Sequence, residues 1–190
     1  MKILENKIIS IILMLVLIAG GLFIGGMKGL NGLYSDVEDV FFLGVDRDGI
    51  GVANDIGERV VASINMTTIA RKYEVSAPVS LKEAIDMVND DIAVIDSALE
   101  GNTDIKAAVA ANKKIDSSMA ILYNELGQIN LSTQDEKYRQ SLYADFNSRG
   151  DTISHDPYNQ YAQEYTNVLD GFPASLIAAV MPVKEAVVVY

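Results

Sequence analysis

Apolar positions recur along most of this chain at spacings of three and four, the period of one helix face. Leu81, Ile85, Val88, Ile92, Ile95 and Leu99 step 4-3-4-3-4, a two-per-heptad seam. Ser80 and Glu83 form an S-x-x-E capping box ahead of it, and Gly101 is a stop behind it. A second seam starts near Thr103: Ile105, Ala108, Asn112, Ile115, Met119, Leu122, Leu126 and Ile129. Asn112 there has two readings. Buried, it costs stability and fixes register; on a slightly rotated helix it is exposed.

Thr133 and Glu136 make another capping box, followed by Tyr138, Leu142, Phe146, Ile153, Tyr161 and Tyr165. Pro157 interrupts this stretch, because proline inside a helix removes a hydrogen bond and clashes with the preceding turn. Asp156 is placed to cap a fresh start with Pro157 at the first helical position, so a break is predicted between Ser154 and Tyr158. Upstream, residues 52–73 put Ile56, Val60, Ile64 and Thr67 on one face. The stretch "NGLYSDVEDVFFLG" does the same with Leu33, Val37, Val40 and Phe41, and "VDRDGIG" separates the two. Only the terminal "AVVVY" has strand propensity, and one strand makes no sheet.

Residues 8–27 break the alternation: twenty residues from Ile8 to Met27 carry no charge. At about 1.5 Å per residue they reach roughly 30 Å, the hydrocarbon thickness of a bilayer. A cleaved signal peptide has a shorter apolar run ending at a small-x-small site, so the length favours an uncleaved anchor. Lys2 and Lys7 before the span against Lys28 after it favour a cytoplasmic N-terminus. The expected fold is all-α, an N-terminal transmembrane helix followed by an antiparallel four-helix bundle packed at angles near 20°. The expected division is 1–28 for a cytoplasmic stub and anchor, 29–182 for the bundle and 183–190 for a tail.

Charge and composition narrow the chemistry. Beyond residue 28 there are 12 Lys and Arg against 25 Asp and Glu, a net of −13. Such a domain repels nucleic acid and anionic lipid. The absence of cysteine excludes disulfides and thiolate metal sites. His155 is the single histidine and cannot supply the paired Glu-x-x-His motifs of a di-iron bundle. No G-x-S-x-G accompanies it, and it reads as a surface or capping residue. "DRDG" at 46–49 lacks the third ligand and closing glutamate of a calcium loop and reads as a turn. Asp86 with Asp90, and Asp96 with Glu100, read as a solvated face. No cofactor or metal is expected. In the span, Gly21, Gly25 and Gly29 recur every four residues, a spacing that allows close helix–helix approach.

The C-terminal part carries one further pattern. Tyr158, Tyr165 and Phe172 fall seven apart; Asn159 follows the first and Pro173 the last, and "ASLIA" comes next. This resembles the C-terminal signature of the LemA family. Tyr165 is followed by Thr166 where that signature has a second Tyr-Asn pair, and Pro157 directly before Tyr158 is unusual for it. "GVANDIGERVVASI" replaces the family's basic pair and "IPNLV"-like stretch. The resemblance implies a membrane-anchored four-helix bundle and implies no activity. Physically, the three aromatics share a helix face and are expected as a bundle seam rather than a ligand-stacking wall, with Pro173 stopping the helix and "ASLIAAV" folding back on the bundle end.

The expected function is a non-enzymatic, single-pass interaction or scaffold module of the bacterial cell envelope. Its partners are the bilayer, through residues 8–27, and a second copy or another membrane protein, with no nucleic acid. The alternative is an ectodomain sensor binding a small ligand between helices. Seven residues before the span hold no transmitter domain, so such a sensor signals through a separate partner.

Overall fold

The computed structural model describes residues 7–102 and 104–189, so Lys2, Thr103 and Tyr190 lie outside the described residues. The fold is all-α, with no strand among the described residues. The α-helices are α1 (Lys7–Leu43), α2 (Val52–Arg71), α3 (Val79–Leu99), α4 (Ile105–Gly127), α5 (Thr133–Ser154), α6 (Tyr158–Asp170) and α7 (Ala174–Val180). The chain divides into two compact units, Met1–Val37 with Ala162–Ala186 and Glu38–Tyr161 with Val187–Tyr190.

The second unit is built on a four-helix bundle of α2 to α5. Polar pairs near the helix ends fix its directions. Lys72, just past α2, meets Asp135 in the first turn of α5, while Arg149 near the end of α5 meets Asp55 in the first turn of α2. Ser80 at the start of α3 donates to Glu125 near the end of α4 at 2.6 Å. Neighbours therefore run antiparallel, as the short connections between them require. The α3 and α4 seams pack as their spacing predicts: Leu81, Ile85, Val88, Ile92 and Ile95 of α3 and Ile105, Ala108, Ile115, Met119, Leu122 and Leu126 of α4 are buried.

α2 and α5 differ from expectation. Ile64 is 44% exposed and Tyr138 51% exposed, and Tyr161 and Leu33 also face outward. The inward face of α2 runs instead through Ile56, Val60, Ser63, Thr67 and Ala70, which keeps to a 3.6-residue period. That of α5 runs through Asp135, Arg139, Phe146 and Ile153. Both expected capping boxes shift by a residue or are lost. α3 starts at Val79 after Pro78 with Ser80 committed to Glu125, and α5 is capped by Ser132, whose Oγ accepts the Asp135 amide at 3.1 Å. Glu136 turns to Arg139 instead. Gly101 does end α3, at φ 71°, a region open to glycine at no steric cost. The break at Ser154–Tyr158 is present.

α1 is one helix of 37 residues, about 55 Å long, so the anchor and the amphipathic stretch after it are not separate helices. Its apolar side chains from Ile9 to Ile18, and again at Leu22 and Ile24, are exposed, and it is long and apolar enough to cross a membrane. Farther along, Leu30 packs with Ala174 and Ile177 of α7, ringed by Phe23, Met27, Leu169, Met181 and Val183.

Candidate functional site

The Tyr-Asn pair joins α5, α6 and the tail. Asp156 Oδ1 accepts the Tyr158 amide at 2.8 Å and starts α6 as its local geometry demands. Asn159 Nδ2 donates to the carbonyls of Ile153 and Ser154 at the end of α5. Its Oδ1 accepts the Val189 amide at 2.9 Å. The Tyr158 hydroxyl donates to the Val187 carbonyl, and its fully buried ring meets Phe41 edge-on at 5.1 Å between centroids. Within the first unit the Tyr165 hydroxyl donates to the Lys184 carbonyl at 2.9 Å, and its ring meets Tyr34 edge-on. Burial raises the Tyr165 hydroxyl's pKa, and Tyr34 adds to the shift. These side chains bond to backbone groups of the tail, largely irrespective of the tail's own side chains.

Phe172 is not part of this face: it is 84% exposed. α6 ends at Asp170, so the third step of the heptad falls outside the helix and seven residues no longer return to one side. Pro173 does not stop α6 either; it precedes α7 as that helix's N-terminal flanking residue.

The bundle interior carries a polar layer that the apolar pattern does not announce. Arg59 is buried; it donates to the side chain and backbone carbonyl of Asn112 and to Asp116 on α4. Its guanidinium lies 3.9 Å over the Phe146 ring, a cation–π contact, with Gly150 beside it. Asn112 is thus the buried alternative, and its partner is a charge rather than a second amide. Asp55 accepts from Arg149 through Oδ1 at 2.9 Å, while its buried Oδ2 has no hydrogen-bond partner. On the other side of the bundle Asp91 accepts from Ser118 and pairs with Lys114, each at 2.7 Å.

Between α2 and α5 an open groove of about 430 Å³ is lined by Glu58, Asn65, Asp145, Ser148, Arg149 and Thr152. The "DRDG" segment forms a turn in which Asp48 accepts the Ile50 amide and Arg47 pairs with Asp39. Among the described residues no group of three or more His, Asp or Glu is placed to hold a metal ion. Asp86, Asp90, Asp96 and Glu100 are exposed, and His155 caps the end of α5 at the surface. Gly21, Gly25 and Gly29 have nothing within 4 Å of where a Cβ would stand, whereas a Cβ at Gly26 would overlap Ile177. No family model, curated protein or solved structure matches the chain.

Proposed function

We propose that this chain is a divergent LemA-like protein of the bacterial cell envelope, a single-pass membrane protein with its N-terminus in the cytoplasm. Its helical bundle acts without catalysis, as an interaction or scaffold module. The observation that carries this reading is α1, whose uncharged, uncovered surface from Ile9 to Ile24 has no use in water. The Tyr158-Asn159 pair, with its defined task of holding the tail, supports the family likeness as a structural motif. Partners within this reading are the bilayer along residues 8–27 and, beside the open Gly21, Gly25 and Gly29 face, a second span of this chain or of another membrane protein. Crosslinking in native membranes tests it. The chain should stay in the pellet after an alkaline carbonate wash, keep its N-terminus and yield a discrete protein adduct. A mature N-terminus near residue 21 would make it a secreted protein instead.

The groove between α2 and α5 favours a second reading, a sensor of a small polar ligand. A metabolite that raises the thermal midpoint of the parent chain but not of Arg149→Ala would support it over the scaffold.

A further inference from the structure

α7 carries no charge, and Ser175 is its one polar side chain. Ala174 and Ile177 are covered by α1, and Met181 packs at the edge of that contact. The opposite side presents Leu176 at 54% exposure and Val180 at 70%, and Phe172 stands just ahead of them. From Gly171 to Val183 there is no charge; Asp170 and Lys184 bound the run. A surface helix in water turns a polar face outward, whereas one whose outer face is apolar as well belongs against protein or lipid. The place where α7 docks decides between these. Ile177 sits on Gly26 and the cluster reaches Phe23 and Met27, at the C-terminal end of the uncharged run 8–27. The exposed Leu176 and Val180 thus stand on a helix docked at Phe23, Gly26 and Met27, the level of α1 at which Leu22 and Ile24 are exposed.

We propose that α7 and the Phe172 turn form a second membrane contact, an interfacial segment lying against α1 at the headgroup boundary of the leaflet from which the span emerges. This rests on the reading of α1 as a membrane span. Its depth would be about 5–10 Å, that of amphipathic helices lying in the interface. Lys28, at the edge of the apolar surface and exposed, can extend its ammonium group toward the headgroups while its stem stays with that surface. The occupant is lipid, because α7 docks at the end of a surface that only lipid would cover. The segment bends out of water locally and does not cross the bilayer, since thirteen residues are too few.

The chain lacks cysteine, so single labels can be placed without background. The test uses the full chain in phosphatidylcholine–phosphatidylglycerol vesicles with an environment-sensitive fluorophore at Leu176→Cys, Val180→Cys, Leu17→Cys or Asp86→Cys. All four positions are exposed, so the labels leave packing intact, and circular dichroism checks each variant. Lipid-borne nitroxides at shallow and deep positions are the quenchers. The expected result is quenching at 176 and 180 that is stronger with the shallow nitroxide, the reverse order at 17, and none at 86. Quenching at 17 with residues 176 and 180 open to an aqueous quencher would overturn the interfacial segment and leave the span standing. Residues 176 and 180 shielded from both quenchers would also overturn it, in favour of a protein contact. Loss of quenching at 17 would remove the span and the segment together.

Discussion

The Tyr158 hydroxyl donates to the Val187 carbonyl at 2.8 Å, a bond that ties α6 to a segment with no regular structure of its own. Both the ring and the hydroxyl are committed: the ring fills space against Phe41, and the bond satisfies a tail carbonyl. Tyr158→Phe should cost about 0.5–1.5 kcal/mol, the net worth of one hydrogen bond. Tyr158→Ala should cost about 3–5 kcal/mol, the usual loss on emptying a buried aromatic site. Phe172→Ala, which the heptad spacing would rank with them, should stay within about 0.5 kcal/mol because its ring is in the open. Thermal unfolding of the three variants against the parent decides, and equal losses at 158 and 172 would contradict this packing.

Arg59 supplies a second test. Its charge is buried, and Asp116, which stands half in solvent, is its counter-ion. Asp116→Asn should destabilise by about 2–3 kcal/mol, less than the 3–5 kcal/mol typical of fully buried pairs because water already weakens this one. Removing the charge as well should recover stability: Arg59→Met combined with Asp116→Asn is expected to be more stable than Asp116→Asn alone. A double-mutant cycle from denaturant midpoints measures the coupling, and simple additivity of the two changes would show that the pair does not interact.

Acid should act on the bundle in two opposed ways. Lys72 above all, with Tyr73 and Ser132, holds the Asp135 carboxyl down at about 2 from an ordinary 3.8; Arg139, with Gln140, holds Glu136 at about 2 from 4.5. Both are depressed on folding, so their stabilisation is complete above the unfolded values and is lost as pH falls toward 2. Asp156 has the opposite sign. Burial raises its pKa, Asp55 and Asp48 add to the rise, and the Tyr158 amide opposes it. The folded chain then binds that proton more tightly than the unfolded chain, and stability falls as pH rises through the raised value. Asp156→Asn should therefore raise the thermal midpoint at neutral pH, with the gain shrinking on acidification. Asp135→Asn should lower the midpoint at neutral pH, with the penalty vanishing near pH 2. Midpoints recorded across that range check both signs.

The sequence made α3 and α4 legible because their buried positions are almost all apolar, so a seam such as Leu81 to Ile95 shows the inward face directly. It misplaced Ile64 and Tyr138 because α2 and α5 bury Asp55, Arg59, Asp135 and Arg139 instead. Charged residues read as solvated unless their partners are known, and the partners of Arg59 and Asp55 lie on other helices, 53 to 94 residues away. The site was half legible for a related reason. The seven-residue spacing marked Tyr158 and Tyr165, but it also carried Phe172 onto their face, although α6 stops at Asp170, ahead of Gly171 and Pro173, and leaves Phe172 outside. Asn159 was visible as part of a motif, while its two tasks, closing α5 and holding Val189, depend on where the tail returns.

Adjacent glycines on α1 should respond differently to the same change. Gly25 faces open space, and a leucine there would add one more apolar group to an already exposed surface. A side chain at Gly26 would occupy the position of the Ile177 side chain, and a leucine is too large for a small rotamer change to absorb. Gly26→Leu should therefore push α7 away from Leu30 and Met27, whereas Gly25→Leu should leave it in place. The readout is a cysteine at Ala174, buried in that contact, treated with a water-soluble maleimide in mild detergent. Labelling should be slow in the Ala174→Cys chain and in its Gly25→Leu derivative, and faster in the Gly26→Leu derivative. Equal rates in the two glycine variants would mean that α7 does not rest on Gly26. That result would remove the docking on which the membrane contact of α7 is argued.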